Sequence, residues 1–127
     1  MPRYDGVHFD PPAPVALVSL CCPETRSRIE GVEMLLDSGA DVSLVPKTAV
    51  EHLGVSPLSD RGCELVSFDG SRSLAKVVVL DMIFAGKTFR GRYLVIDAPW
   101  GIIGRDVLNH LSIAMNGPAL EWSKVGD

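Results

Sequence analysis

Residues 74–85, which hold Val77, Val78 and Val79 in a row, lead through Gly86-Lys87 into a second apolar stretch at residues 88–96; this constrains the chain's fold most. β-branched side chains pack well on a pleated surface, and a glycine-bearing turn between two such stretches predicts an antiparallel hairpin. The same punctuation recurs along the chain. Residues 15–22 and 29–36 flank the polar turn 23–28, and residues 112–115 and 119–122 flank Asn116-Gly117. Residues 63–68 run into Asp69-Gly70, a dipeptide suited to tight hairpin turns. Residues 42–45 add a short apolar segment. Helical signals are few: one or two turns from Pro46 to Leu53, stopped by Gly54, and a short helix near the C-terminus carrying Val107, Leu108 and Leu111 on one face. The expectation is a mostly β chain rich in hairpins, with one clear short helix late in the sequence.

At 127 residues the chain suits one domain. Pro2, Pro11, Pro12 and Pro14 predict that residues 1–14 form an extended arm, with the folded domain at 15–122 and a tail at 123–127. Hydrophobic residues make up 46% and charged residues 22%, which excludes a disordered chain and is apolar for so small a one. A small domain buries its apolar surface poorly by itself, so the composition suggests half of a larger assembly. Twelve Lys and Arg against sixteen Asp and Glu give a net charge of −4, which argues against nucleic acid as a partner. The sequence shows neither a signal-peptide pattern nor an apolar run near the roughly 20 residues that span a bilayer, so a cytoplasmic protein without membrane contact is expected.

Other signals fail. Three cysteines cannot all pair within one chain, Cys21 and Cys22 are adjacent, and C-x-x-C is absent, so the thiols are read as small buried hydrophobes. His8, His52 and His110 are far apart in sequence and lack metal-ligand spacing, so no metal is expected. Gly86-Lys87-Thr88 has Asp81 where a phosphate-binding loop needs its first glycine, and no G-x-S-x-G is present.

One motif holds. In Leu35-Leu36-Asp37-Ser38-Gly39-Ala40-Asp41 an apolar strand delivers a carboxylate into a turn. Gly39 permits a backbone path that a side chain resists, and Ser38 can bond nearby backbone groups. An ordinary turn after a strand uses the same residue types. Residues 34–45, M-L-L-D-S-G-A-D-V-S-L-V, resemble the active-site loop of retropepsin-like aspartic proteases, and residues 98–108, A-P-W-G-I-I-G-R-D-V-L, resemble that family's second signature.

The resemblance implies an all-β fold, a closed acid-protease barrel with a flap hairpin and one short C-terminal helix. It implies an aspartic endopeptidase that needs no cofactor. Peptide hydrolysis by this route takes two carboxylates on one water, and a chain of this length with one Asp-Ser-Gly supplies one, so a homodimer is expected to bring a second Asp37. By the same resemblance Ser38 would interlock with the partner's loop, Gly39 would offer its carbonyl to a polypeptide substrate and Ala40 would line the pocket floor. Asp41 and Arg105 would pair and brace the loop, although Arg105 also reads as a solvated helix-start charge. Trp100 and Ile102 would line subsites, with a core aromatic as the other reading of Trp100. Phe68, Asp69 and Gly70 would form the flap tip, which carries one glycine where familiar members carry several. A dimerisation or peptide-binding module with weak or silent catalysis is the alternative.

Overall fold

The computed structural model describes residues 2–58, 62–66 and 72–126. Among these it has ten strands and two helices: β1 (Tyr4–Asp5), β2 (Ala13–Cys21), β3 (Arg28–Leu36), β4 (Leu44–Pro46), α1 (Lys47–Leu53), β5 (Gly62–Val66), β6 (Arg72–Phe84), β7 (Lys87–Ile96), β8 (Gly101–Ile103), α2 (Arg105–Leu108), β9 (Ile113–Asn116) and β10 (Glu121–Lys124). α2 is the short helix expected after Gly104, and α1 occupies the segment marked for one or two turns. α1 ends where Gly54 takes a left-handed conformation at φ 69°.

Six strands close on themselves in the order β2-β3-β8-β4-β7-β6, with β6 returning to β2 through Ser19↔Ile83, Leu20↔Met82 and Cys21↔Asp81. Closure removes the exposed edges that a flat sheet of this size would present. Alternation along the strands fills the barrel. Ala16, Val18 and Leu20 of β2 point inward, as do Val32, Met34 and Leu36 of β3 and Val78, Leu80, Met82 and Phe84 of β6, and all are buried. Their neighbour Leu17 faces out and is 71% exposed, the consequence of a period of two. Each large side chain buried this way contributes about 1.5–3 kcal/mol.

β6 serves two partners. Its first residues pair with β5, from Gly62↔Lys76 to Val66↔Arg72, and the rest pairs with β7, from Val77↔Leu94 to Phe84↔Lys87. The first half is the hairpin expected of a flap; Phe68, Asp69 and Gly70 lie outside the described residues. The turn between β6 and β7 falls at Ala85-Gly86 rather than Gly86-Lys87, because Lys87 is already paired with Phe84. Both turn residues have positive φ, 54° and 76°, the hand that matches twisted strands.

The segment read as an extended arm returns to the barrel. β1 pairs with Ala13 and Pro14, Arg3 bridges to Glu121, and the Tyr4 amide donates to the Leu120 carbonyl at 3.0 Å. The hairpin β9–β10 thereby joins the amino-terminal strand. Trp122 anchors that corner: it is buried, lies 5.8 Å from Phe84 between ring centres, and donates its indole N–H to the Val15 carbonyl at 2.7 Å. Cys21 and Cys22 are unpaired thiols, the second buried. Among the described residues no helix is long and apolar enough to cross a membrane.

On the barrel wall, Asp81 and Arg90 face each other across β6 and β7. Arg90 donates from Nε and Nη2 to the two carboxylate oxygens at 2.7 and 2.9 Å, and these bonds hold the Asp81 carboxyl below its ordinary value of 3.8. A carboxyl whose folded value is depressed contributes stability above its unfolded value and loses it as pH falls through the folded one. Urea midpoints are therefore expected to drop as pH falls from about 5 to about 2.5, and to drop less in Asp81→Asn. An identical drop in both proteins would show that the pair does not contribute.

Candidate active site

Two short pairings build the site. β8 lies between β3 and β4: Met34↔Gly101, Leu35↔Ile102 and Leu36↔Ile103 run parallel, and Leu44↔Ile102 runs antiparallel. Residues 37–43 must therefore loop around the end of β8. Glycine makes the crossing possible. A Cβ on Gly101 would meet the Met34 side chain and, at 2.5 Å, the Leu44 carbonyl oxygen; one on Gly104 would meet Val42 backbone at 2.7 Å and the Ala40 carbonyl oxygen at 2.9 Å. No side chain fits at either position.

Asp37 stands where β3 ends. Its amide donates to the Ile103 carbonyl at 3.0 Å, so the last rung of the β3–β8 ladder fixes its backbone. Its Oδ1 accepts the Gly39 N–H at 2.9 Å, and the Ala40 amide donates to the Asp37 carbonyl at 3.1 Å. One bond thus aims the carboxylate, the other closes the backbone turn, and the residue is half-buried. A backbone N–H given to a carboxylate oxygen is a charge-assisted bond that fixes its direction.

Arg105 ties this turn to α2. Its Nη1 donates to the Ser38 carbonyl at 2.6 Å, its Nη2 pairs with Asp41, and its own amide donates to the Ala40 carbonyl at 2.9 Å. The Asp41 side chain is 84% exposed and that of Arg105 42%, so the pair adds little stability; its geometry holds two points of the loop at once. Ser38, Gly39 and Asp41 are exposed and Ala40 is half-buried.

A second brace is not visible in the sequence. Ser43 is fully buried; its amide and hydroxyl donate to the two Asp106 oxygens at 3.0 and 2.7 Å, and its Oγ accepts the Gly104 N–H at 2.9 Å. The signal that could have pointed there is the Asp of Gly-Arg-Asp, an acidic residue in the first turn of a helix with no local partner. Removing the hydroxyl leaves a buried donor and a carboxylate oxygen unmatched, so Ser43→Ala is expected to cost about 1–3 kcal/mol in urea unfolding. A loss below about 0.5 kcal/mol would show that water replaces the hydroxyl.

Ile102 packs onto a small apolar cluster of Leu44, Ala75, Val77 and Leu94. Trp100 lies outside both described apolar clusters. It is half-buried, with Phe9 edge-on at 4.8 Å and His8 at 6.0 Å, so the loop after β1 covers it. A cavity of about 660 Å³ lies elsewhere, along Phe89, Tyr93, Asp106 and Val107, and Asp37 does not line it.

The sequence model of the retroviral aspartyl protease family matches residues 21–116. Among solved structures, that of EIAV protease complexed with the inhibitor HBY-793 is similar to this chain with a TM-score of 0.60 at 23% identity, covering 77% of this chain and 86% of that one. The likeness extends to the all-β closed barrel.

Proposed function

This chain belongs to the retroviral aspartyl protease family, and on that premise we propose that it is an aspartic endopeptidase acting as a homodimer, with one Asp37 from each chain on a shared water. The observation that carries the reading is the Asp37 turn: a half-buried carboxylate at a strand end, aimed by the Gly39 amide and tied through Arg105 to α2.

Two carboxylates in contact cannot both ionise cheaply, so the pair shares one proton over an acidic range and titrates as a unit. The ionised Asp37 takes a proton from the water as it attacks the scissile carbonyl. The protonated one donates to the carbonyl oxygen, and a proton then passes to the leaving amine. The water oxygen thereby bonds to the carbonyl carbon, the C–N bond breaks as the amine takes its proton and leaves, and the carboxyls themselves only accept and return protons. Gly39 would bind substrate backbone through its carbonyl, Ser38 would steady the partner's loop, and Ala40, Ile102 and Trp100 would border the side-chain subsites. The hairpin β5–β6 would add a strand over an extended polypeptide, and by the family resemblance Phe68, Asp69 and Gly70 would contact it.

Mixing chains tests the reading. If the dyad forms across two copies, adding an equal amount of Asp37→Asn chain to a fixed amount of wild type and allowing exchange should roughly halve peptide cleavage, because mixed dimers hold one carboxylate. Cleavage unchanged by excess variant, with exchange verified by labelled chains, would show that each chain works alone.

A further inference from the structure

Strand β7 is paired along both edges for only part of its length. β6 runs beside it from Lys87 to Leu94, whereas β4 joins its other edge only at Leu94–Ile96. Among the described residues the second edge of residues 87–93 is therefore open, and all of it borders the cavity of about 660 Å³ that Asp106 and Val107 of α2 border as well. We propose that this open edge binds an acidic polypeptide segment in extended form, as one more strand of the sheet. The proposal does not rest on the proteolytic reading.

The backbone of this edge is set for pairing. The Leu94 amide points away from β6 and donates to the Ser43 carbonyl at 3.3 Å. Backbone groups alternate in direction along a strand, so those of Arg92, Arg90 and Thr88, counted back by two, point the same way, into the groove. Among the described residues no other backbone group pairs with them there. Side chains alternate too. Phe89 and Tyr93 pack on the barrel-core side with Val107 of α2. Gly91 between them carries no side chain, and a Cβ there would touch the Tyr93 ring at 3.7 Å, so the glycine leaves a recess open over that ring. An apolar side chain of an added strand, pointing to this face, would enter the recess.

Charge selects the occupant. Arg90 and Arg92 share the other face of the edge, and Lys87 stands at its turn end; all three are exposed and border the cavity. The carboxylates beside them are occupied, Asp81 by Arg90 and Asp106 by the Ser43 amide and hydroxyl. Among the described residues Lys87 and Arg92 pair with no carboxylate, on a chain whose net charge is −4. Like charges set opposite each other across a strand pair are unfavourable, so these cations bar the same edge of a second copy and favour a strand that carries acidic residues. The pattern that fits alternates, with acidic side chains on the arginine face and apolar ones toward Gly91.

Fluorescence anisotropy tests this with an end-blocked, fluorescein-labelled peptide, Glu-Val-Glu-Phe-Glu-Val-Glu. The protein is the full-length Asp37→Asn chain, so that no probe is lost to cleavage. Saturable binding of one peptide per chain is expected. Adding Arg92→Glu should weaken it by at least about tenfold, and the same peptide with Lys in place of Glu should not bind. Methylating the peptide nitrogens of every second residue removes the donors of one edge; one of the two such sets should abolish binding and the other should not. Circular dichroism of the Arg92→Glu protein verifies its fold. Absence of binding at about millimolar protein, equal binding by the folded Arg92→Glu protein, or binding indifferent to both methylated sets overturns the proposal.

Discussion

Replacing Asp37 by Asn is expected to cut peptide cleavage by about a thousandfold or more while leaving the fold intact. The loss is large because the substitution strikes both halves of a dimer, removing the general base and the general acid together. The fold should survive because the amide oxygen of Asn can still accept the Gly39 N–H that Asp37 Oδ1 accepts at 2.9 Å. Wild type and variant should therefore differ by no more than about 1 kcal/mol in urea unfolding. The assay is cleavage of a denatured-protein or peptide library, scanned across acidic pH. A mimic of the tetrahedral intermediate should block the wild type. Equal cleavage by both proteins would place the chemistry elsewhere, and a well-folded wild-type dimer that cleaves nothing would favour a peptide-binding module.

The largest stability effect is expected at Trp122→Ala, a loss of about 3–5 kcal/mol at fixed protein concentration. Trp122 fills the corner where β10 meets the barrel, beside Phe84, and its indole N–H satisfies the Val15 carbonyl. The same strand holds the amino terminus, since the Trp122 amide donates to the Pro2 carbonyl at 3.2 Å. Loss of the ring should therefore loosen both ends of the chain, read as early hydrogen exchange in β1 as well as in β9 and β10. Trp122→Phe keeps much of the packing and should recover all but about 1–2 kcal/mol. A loss under about 1 kcal/mol in the alanine variant would mean that the terminal hairpin does not unfold with the barrel.

The local parts of this structure are legible in the sequence, and the non-local parts largely are not. Hairpins such as β6–β7 announce themselves because alternation, β-branching and a turn lie within a few residues of each other. Asp37 is legible for the same reason, as a carboxylate, a glycine and a strand end in one short motif. The Ser43–Asp106 brace is not, because its partners are 63 residues apart and a serine after an apolar strand has many ordinary uses. Nor are the parallel pairings of β8 with β3 and β7 with β4, which depend on closure of the whole barrel. His8 illustrates the limit from the other side. Its partner Asp5 lies three residues away, but only folding places its ring beside Trp100. The shift of one turn from Gly86-Lys87 to Ala85-Gly86 is a register effect, set by which residue closes the ladder.

The placement of β8 between β3 and β4 has a consequence for the order of events during synthesis. A chain made from its amino end presents Asp37 well before the partners of that turn: Arg105 reaches back 67 residues to Ser38 and 64 to Asp41. Contacts of such long separation form late in folding, after the loop between them has closed. The Gly39 bond to Asp37 is local and can form early, whereas the brace through Arg105 waits for the segment from Gly101 to Arg105. The turn around Asp37 is therefore expected to become rigid only as β8 inserts between β3 and β4.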